Sequence, residues 1–427
     1  MIALVMFFVA LLLLIFGIPV AFAFGGVAML FAFFTPDIGF EVFNILPFRI
    51  YGIMSNTTLM AVPLFIMMGL ILEKSGMAEK LLISMSTLFK GVRGGLGVSV
   101  VLVGAILAAS TGIVSASVVM MSVIALPLMV SAGYDKALAS GTIAASGTLG
   151  QIIPPSIILI VLGDVMSVSV GELFMGAVLP GLVLVGLYIA YILLRAYLNK
   201  EVAPALVSSE KVGVFEILFA IIPPFVLMLA VLGSIFAGIA SPTESAAFGV
   251  VGAIILSFFN KTLGTKMIKY ALFETMKLSG MIFMILIGAT AFSLVFNELG
   301  GNDLILDFFS HDIGNVWVFI AVSMVSIFIL GFFIDFIEIS FIIVPILVPV
   351  MHAFGIDPIW FAVLIAMNLQ ASFLTPPFGL SLFFLKGAAG NLVSTMQIYK
   401  GIIPFILLQL LALGLVILFP DLVFAWI

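Results

Sequence analysis

Two apolar segments of this chain are interrupted in the same way, and this restricts its fold more than any other feature. Gly141 to Gly163 reads GTIAASGTLGQIIPPSIILIVLG, and Phe361 to Gly387 reads FAVLIAMNLQASFLTPPFGLSLFFLKG. Each surrounds a Ser/Thr/Gly-containing centre with bulky apolar residues and carries a proline pair, Pro154–Pro155 and Pro376–Pro377. Proline has no backbone N–H, so neither segment continues as one helix. The residue before a proline is pushed towards extended geometry. The expected order is helix, break, helix. Non-helical backbone at membrane depth survives only where protein buries it or it lines a polar cavity. Broken helices near the bilayer midplane mark binding sites in secondary transporters.

The surrounding sequence makes the membrane reading firm. The chain is 64% hydrophobic and 8% charged, against about 25% charged in soluble domains. Its long apolar runs fit a polytopic α-helical membrane protein and not the short alternating segments of a β-barrel. There is no Cys, which excludes disulfides, thiolate metal sites and Cys nucleophiles. Met1 to Phe34 lacks a basic leading region and is expected to be membrane helix, not a cleaved signal. Further apolar runs cover 57–73, 171–194, 214–239, 242–259, 279–297 and 402–425. Residues 40–52 and the basic stretch 263–278 are expected to be arm-like connectors. Asp164 and Glu172 fall in an expected outer turn and are read as solvated.

An internal repeat divides the chain into 1–213 and 214–427. An offset of 222 relates Pro127 to Pro349, Gly133 to Gly355, Asp135 to Asp357 and the two proline pairs to each other. Nearby offsets relate Pro19 to Pro242, Gly26 to Gly249, Ser55 to Ser279 and Gly76 to Gly300. The first repeat is expected to hold scaffold helices in 1–73, a hairpin at 96–130 and a broken helix at 137–163. The second holds scaffold helices in 214–297, a hairpin at 315–351 and a broken helix at 357–386. With both hairpins re-entrant, the first half crosses five times, at 1–17, 19–34, 57–73, 137–163 and 171–194, and the second half is inverted. With the N-terminus outside, 14 of the 15 Lys and Arg then lie inside, and Arg49 alone lies outside, as the positive-inside rule expects.

Polar groups concentrate at the hairpin tips and the breaks. AASTGIVSAS, Ala108 to Ser117, offers the hydroxyls of Ser110, Thr111, Ser115 and Ser117, with Gly112 at the turn. Hydroxyl and carbonyl oxygens suit a weakly held alkali cation, and half-helix N-termini favour an anion. A sodium site built from 110–117 and 146–156 follows; the alternative is close helix packing through small residues. In GFFIDFIEISF, Gly331 to Phe341, Asp335 and Glu338 are the only carboxylates of an apolar run. They are candidates for cation binding or proton carriage, or else an N-cap of the second arm. Asn368, Gln370, Ser372 and Thr375 would face them. SPTES, 241–245, reads as a helix start: Ser241 the N-cap, Pro242 in the first turn, Glu244 closing a capping box. No Walker loop, nucleophile elbow or metal motif is present. The expectation is a transporter, not an enzyme, with no nucleic-acid partner.

GAILAASTGIVSAS (104–117), GYDKALASGTIAASGTLGQIIPPS (133–156), SPTESAAFG (241–249), IDFIEI (334–339) and NLQASFLTPPFG (368–379) together resemble the large membrane subunit of tripartite ATP-independent periplasmic (TRAP) transporters. The resemblance covers essentially the whole chain. It implies an inverted-repeat, elevator-type transporter in the cytoplasmic (inner) membrane, importing a small organic anion, a carboxylate or sulfonate, with sodium as coupling ion and no other cofactor. It also implies two partners, a small membrane (Q-type) subunit on a separate chain and a soluble periplasmic substrate-binding protein. One sodium site would use Ser110, Thr111, Gly112, Ser115, Ser146, Gly147 and Pro154. The other would use Asp335, Glu338, Asn368, Ser372, Thr375 and Pro376. Substrate would meet Ser117, Thr148, Ser156, Ser340, Gln370 and Gly379. A stand-alone sodium- or proton-coupled anion symporter of the same wider architecture is the alternative.

Overall fold

The computed structural model describes residues 1–35, 38–112, 114–206 and 214–427; the side chains at 108–111, 214, 216, 311 and 312 are not among those described. Every regular element in these residues is a helix. Seven helices are long and apolar enough to cross a membrane, or eight if Ala61–Lys74 and Met77–Leu88, bent by 63° at their junction, count as one span. Ile2–Ile15 and Val20–Phe34 have 14 and 15 residues, short of the ~20 that cross a bilayer perpendicularly.

Both proline pairs interrupt their helices where the sequence requires. Lys136–Thr148 passes through a 3-10 turn, Leu149–Gln151, and resumes only at Ile157–Val165; we call this broken helix 1. Pro358–Leu374 ends at an extended Thr375 and resumes at Leu380–Ala389; this is broken helix 2. Both Pro–Pro peptide bonds are cis. Each first half starts on an aspartate N-cap. Asp135 Oδ1 accepts from Leu138 N–H at 2.9 Å, and Asp357 Oδ1 from Ile359 N–H at 2.9 Å and Trp360 N–H at 3.0 Å. Each cap satisfies donors that helix geometry leaves unpaired.

The broken helices form the centre. All residues from Leu138 to Thr148 and from Trp360 to Leu374 are buried, as expected of helices enclosed on every side. Gly95–Thr111 and Val114–Ser131 pack on each other and on Lys136–Thr148; we call the pair hairpin 1. Val316–Leu330 and the stretch Phe336 to Ala353, the latter carrying a π-helical turn at Ile339–Ile343, form hairpin 2. Val316–Leu330 lies against Pro358–Leu374.

The halves of the sequence interleave. Thr395–Leu418 packs on Lys136–Thr148, Leu380–Ala389 on Val114–Ser131, Pro242–Phe259 on Ala61–Lys74, and Thr265–Glu298 on Val20–Phe34. Small residues permit the closest approach. A Cβ built on Gly141 would stand 2.5 Å from the Gly401 carbonyl carbon, and one on Gly401 would stand 2.6 Å from that of Ala137. Such backbone-to-backbone contact is the usual route to tight helix association in membranes. Phe405 adds edge-to-face contacts with Tyr188 and Tyr191 at 5.1 and 5.2 Å, each worth roughly 0.5–1.5 kcal/mol beyond its burial.

The capping box at Ser241 forms as the sequence predicts. Ser241 N–H donates to Glu244 Oε2 at 2.8 Å, and Glu244 N–H donates to Ser241 Oγ at 3.3 Å. The basic stretch 263–278 is not a separate connector. It is the first part of one 34-residue helix, Thr265–Glu298. Lys266, Lys269 and Lys277 are exposed on this helix while Ala271 and Thr275 turn inward, so the charges mark an outer face and not a break.

Candidate functional site at the two helix breaks

The breaks meet at the centre of the molecule. Gln370 Nε2 donates to Thr148 Oγ1 at 3.4 Å, across 222 positions of sequence. This is the offset that superimposes the two proline pairs, so Thr148 and Gln370 are corresponding positions that touch. Thr148 in turn donates to Ala145 O at 2.9 Å.

Around broken helix 1, hairpin 1 closes onto the polar residues. A Cβ on Gly104 would sit 2.6 Å from Ser146 Cβ, one on Gly147 would sit 2.5 Å from Val118 Cγ2, and one on Gly112 would sit 2.9 Å from Ile157 Cγ1. Gly112 has φ +59°, a region that favours glycine. Ser146 Oγ donates to Ile143 O at 3.1 Å and Ser156 Oγ to Gln151 O at 2.7 Å, and both serines are fully buried. A donating hydroxyl keeps acceptor lone pairs, so these oxygens remain able to face a cation. Ser117 is buried and Ser115 half-buried at the start of the second arm. The side chains of Ser110 and Thr111, expected in the first sodium site, lie outside the described residues. Pro154 sits in the break beside Ser156.

Around broken helix 2, the carboxylates of hairpin 2 start a helix. Asp335 Oδ1 accepts from Phe336 N–H at 2.7 Å, and Glu338 Oε2 accepts from Asp335 N–H at 2.8 Å. This is a capping box, one of the alternatives the sequence left open. Ser340 Oγ donates to Phe336 O at 2.7 Å within the first turn. Across from it, a Cβ on Gly331 would overlap Ser372 Oγ, which places the end of the first arm directly on broken helix 2. Ser372 donates to Leu369 O at 3.1 Å and Thr375 to Ala371 O at 2.9 Å. Asn368 Nδ2 donates to Met324 O at 2.6 Å and so ties broken helix 2 to hairpin 2. Pro376 and Gly379 shape the return of the chain, Gly379 N–H donating to Thr375 O at 2.9 Å. Gly379 also approaches Phe373 O so closely that a Cβ would stand 2.6 Å from it.

The sequence reading missed Gln151. Its side chain is buried, and neither amide atom has a hydrogen-bond partner among the described residues. Gln370 Oε1 and Thr142 Oγ1 are in the same state. An unsatisfied buried polar group costs about 1–3 kcal/mol, and Gln151 and Gln370 place such groups beside the two breaks. The available signal was an amide residue in an apolar run three positions before a proline pair. Asp164 also departs from expectation. It is half-buried, and Asn56 Nδ2 donates to its Oδ1 at 2.5 Å. The solvated turn predicted there is a tether between two elements 108 residues apart.

Comparison with known proteins agrees with this architecture. Residues 5–422 match the family described as tripartite ATP-independent periplasmic transporter, DctM component. The C4-dicarboxylate TRAP transporter large permease protein DctM of Rhodobacter capsulatus is 28% identical over 98% of this chain and 97% of its own. The sialic acid TRAP transporter large permease protein SiaM of Vibrio cholerae is 27% identical over 96% of this chain and 94% of its own. The isethionate TRAP transporter permease protein DctMQ of Oleidesulfovibrio alaskensis is 29% identical over 83% of this chain and 56% of its own. Among solved structures, the YdaH transporter of Alcanivorax borkumensis superimposes with a TM-score of 0.65 over 99% of both chains at 16% identity, a likeness of fold alone. With multiple apolar spans, two buried helix breaks and a family match over almost its full length, this chain belongs to the TRAP transporter family as a large permease subunit, a multi-pass membrane transporter and not an enzyme.

Proposed function

We propose that this subunit imports a small organic anion, a carboxylate or sulfonate, across the inner membrane, coupled to sodium and working by an elevator movement. The observation that carries this reading is the central contact of Thr148 with Gln370. It brings two buried polar breaks together, each faced by a hairpin. Relatives named for C4-dicarboxylate, sialic acid and isethionate support a small anionic substrate. Sodium would sit between hairpin tip and break in each repeat, near Ser146 and Gly147 in one and near Ser372 and Thr375 in the other. The segments 146–156 and 368–379 contain no Lys or Arg. Sodium ions and half-helix N-termini would therefore offset the charge of the anion. Hairpins and broken helices would move as one body against Val20–Phe34, Ala61–Lys74, Pro242–Phe259 and Thr265–Glu298. A small membrane subunit and a periplasmic binding protein would complete the system.

The test is uptake into proteoliposomes that contain this chain and its small subunit, with an inward sodium gradient and substrate-loaded binding protein. Uptake that needs both sodium and the binding protein is the expected result. Uptake without the binding protein would point to a stand-alone symporter. Uptake driven by protons and indifferent to sodium would overturn the sodium assignment.

A further inference from the structure

A polar cleft of about 360 Å³ opens between Leu46–Met54 and Thr265–Glu298 on one side and the end of broken helix 1 and hairpin 2 on the other. Arg49, Thr290, Ser293, Asn297 and Asn302 supply its donors, and Asp164 is also among its lining residues. Its volume falls in the ~300–1,000 Å³ range of small-molecule sites. The charge pattern of the sequence puts this end outside, where Arg49 is the single Lys or Arg. Arg49 is exposed and makes no ion pair among the described residues. Asp164 makes no ion pair with it among the described residues, and its carboxylate accepts a hydrogen bond from Asn56.

We propose that this cleft is an outer receiving site for a small carboxylate or sulfonate. The planar guanidinium of Arg49 takes the anionic group through paired hydrogen bonds, and the hydroxyls and amides around it replace water. A cation without an ion-pair partner at the mouth of a cleft raises the local concentration of anions beside it. That matters here because the breaks offer no cationic side chain. Asp164, which also lines the cleft, repels an anion, so the charged end is taken at Arg49. The site also adjoins a second cavity of about 440 Å³ that shares Arg49, Ile53 and Asp164. This assignment rests on the import reading above, since it concerns the anion before it reaches the breaks.

The absence of Cys makes a direct test available. Ser293→Cys puts a thiol of nearly the same size on the exposed wall of the cleft. The rate of its labelling by a membrane-impermeant thiol reagent is measured in liposomes at constant ionic strength. Succinate, isethionate or N-acetylneuraminate replaces chloride. Each anion in the millimolar range is expected to slow labelling. Arg49→Gln is expected to weaken that protection about tenfold, the scale of one charged contact, and Arg49→Lys to retain part of it. The proposal is overturned if no anion slows labelling, or if protection is equal with and without Arg49. It is also overturned if Arg49→Gln spares protection but abolishes capture of the purified binding protein, because Arg49 would then dock a protein. Anion protection together with uptake that ignores sodium and the binding protein would remove the import reading and leave this site standing.

Discussion

Gly104→Ala would separate packing from ion binding at broken helix 1. The added methyl would stand 2.6 Å from Ser146 Cβ, 2.9 Å from Ser146 Oγ and 3.2 Å from Ser146 C, where ordinary contact begins at 3.4 Å. The helices must therefore part by about 0.8 Å (3.4 minus 2.6). Rotating the serine cannot relieve a clash with its own Cβ. Overpacking of this kind costs roughly 1–3 kcal/mol, read as a lower unfolding temperature in detergent. Ser146→Gly removes both Cβ and hydroxyl; its helical backbone costs roughly 0.5–1 kcal/mol. The double variant Gly104→Ala/Ser146→Gly moves the methyl to the other helix. It is expected to be more stable than the sum of the single changes predicts, as contacting residues are when one change relieves the other. Sodium dependence should behave differently. If the Ser146 hydroxyl faces sodium, Ser146→Gly and the double variant share a rise of about tenfold in half-saturating sodium, or ~1.4 kcal/mol. Stability is thus rescued and sodium affinity is not. Additive stabilities would refute the close approach of Gly104 to Ser146. A double variant that regains wild-type sodium dependence would refute Ser146 as a ligand.

Three further outcomes are expected. Asp335→Ala loses the helix cap, at about 0.5–2 kcal/mol, whereas Asp335→Ser keeps a capping oxygen. Both should weaken sodium dependence of uptake, and a serine variant with wild-type sodium dependence would leave Asp335 a cap alone. Gln151→Met should raise thermal stability by ~1–3 kcal/mol by removing an unsatisfied buried amide while lowering uptake; unchanged uptake would make the amide dispensable. Asn56→Cys with Asp164→Cys should be bridged by a short bifunctional methanethiosulfonate reagent, since Asn56 Nδ2 and Asp164 Oδ1 are 2.5 Å apart. The crosslink should stop transport until reduced, and full transport by the crosslinked protein would show that the tether spans parts that do not move relative to each other.

What was legible in the sequence was local. Two Pro–Pro pairs broke two helices because a missing N–H and a blocked conformation act within a few residues. Ser241 and Asp335 capped helices because the partner donors lie in the same turn. The family was legible too, through motifs spread along the chain. Residues 263–278 were misread because their lysines resemble a connector, although Ala271 and Thr275 are buried one helical turn apart on a single face. Nothing in the order of residues marked Asp164 as the partner of Asn56 or Gly104 as the neighbour of Ser146, and Thr148 and Gln370 shared an expected substrate site only through the family resemblance, with no contact between them implied. The first two pairs join segments within the first half; the contact of Thr148 with Gln370 comes from interleaving of the halves, in which Thr395–Leu418 seats on Lys136–Thr148 and Thr265–Glu298 on Val20–Phe34. The sequence by itself determined where the helices stop, because stopping is decided by backbone sterics and hydrogen bonds between near neighbours. Only the tertiary structure decided which breaks face each other, because that depends on how small residues let distant helices approach.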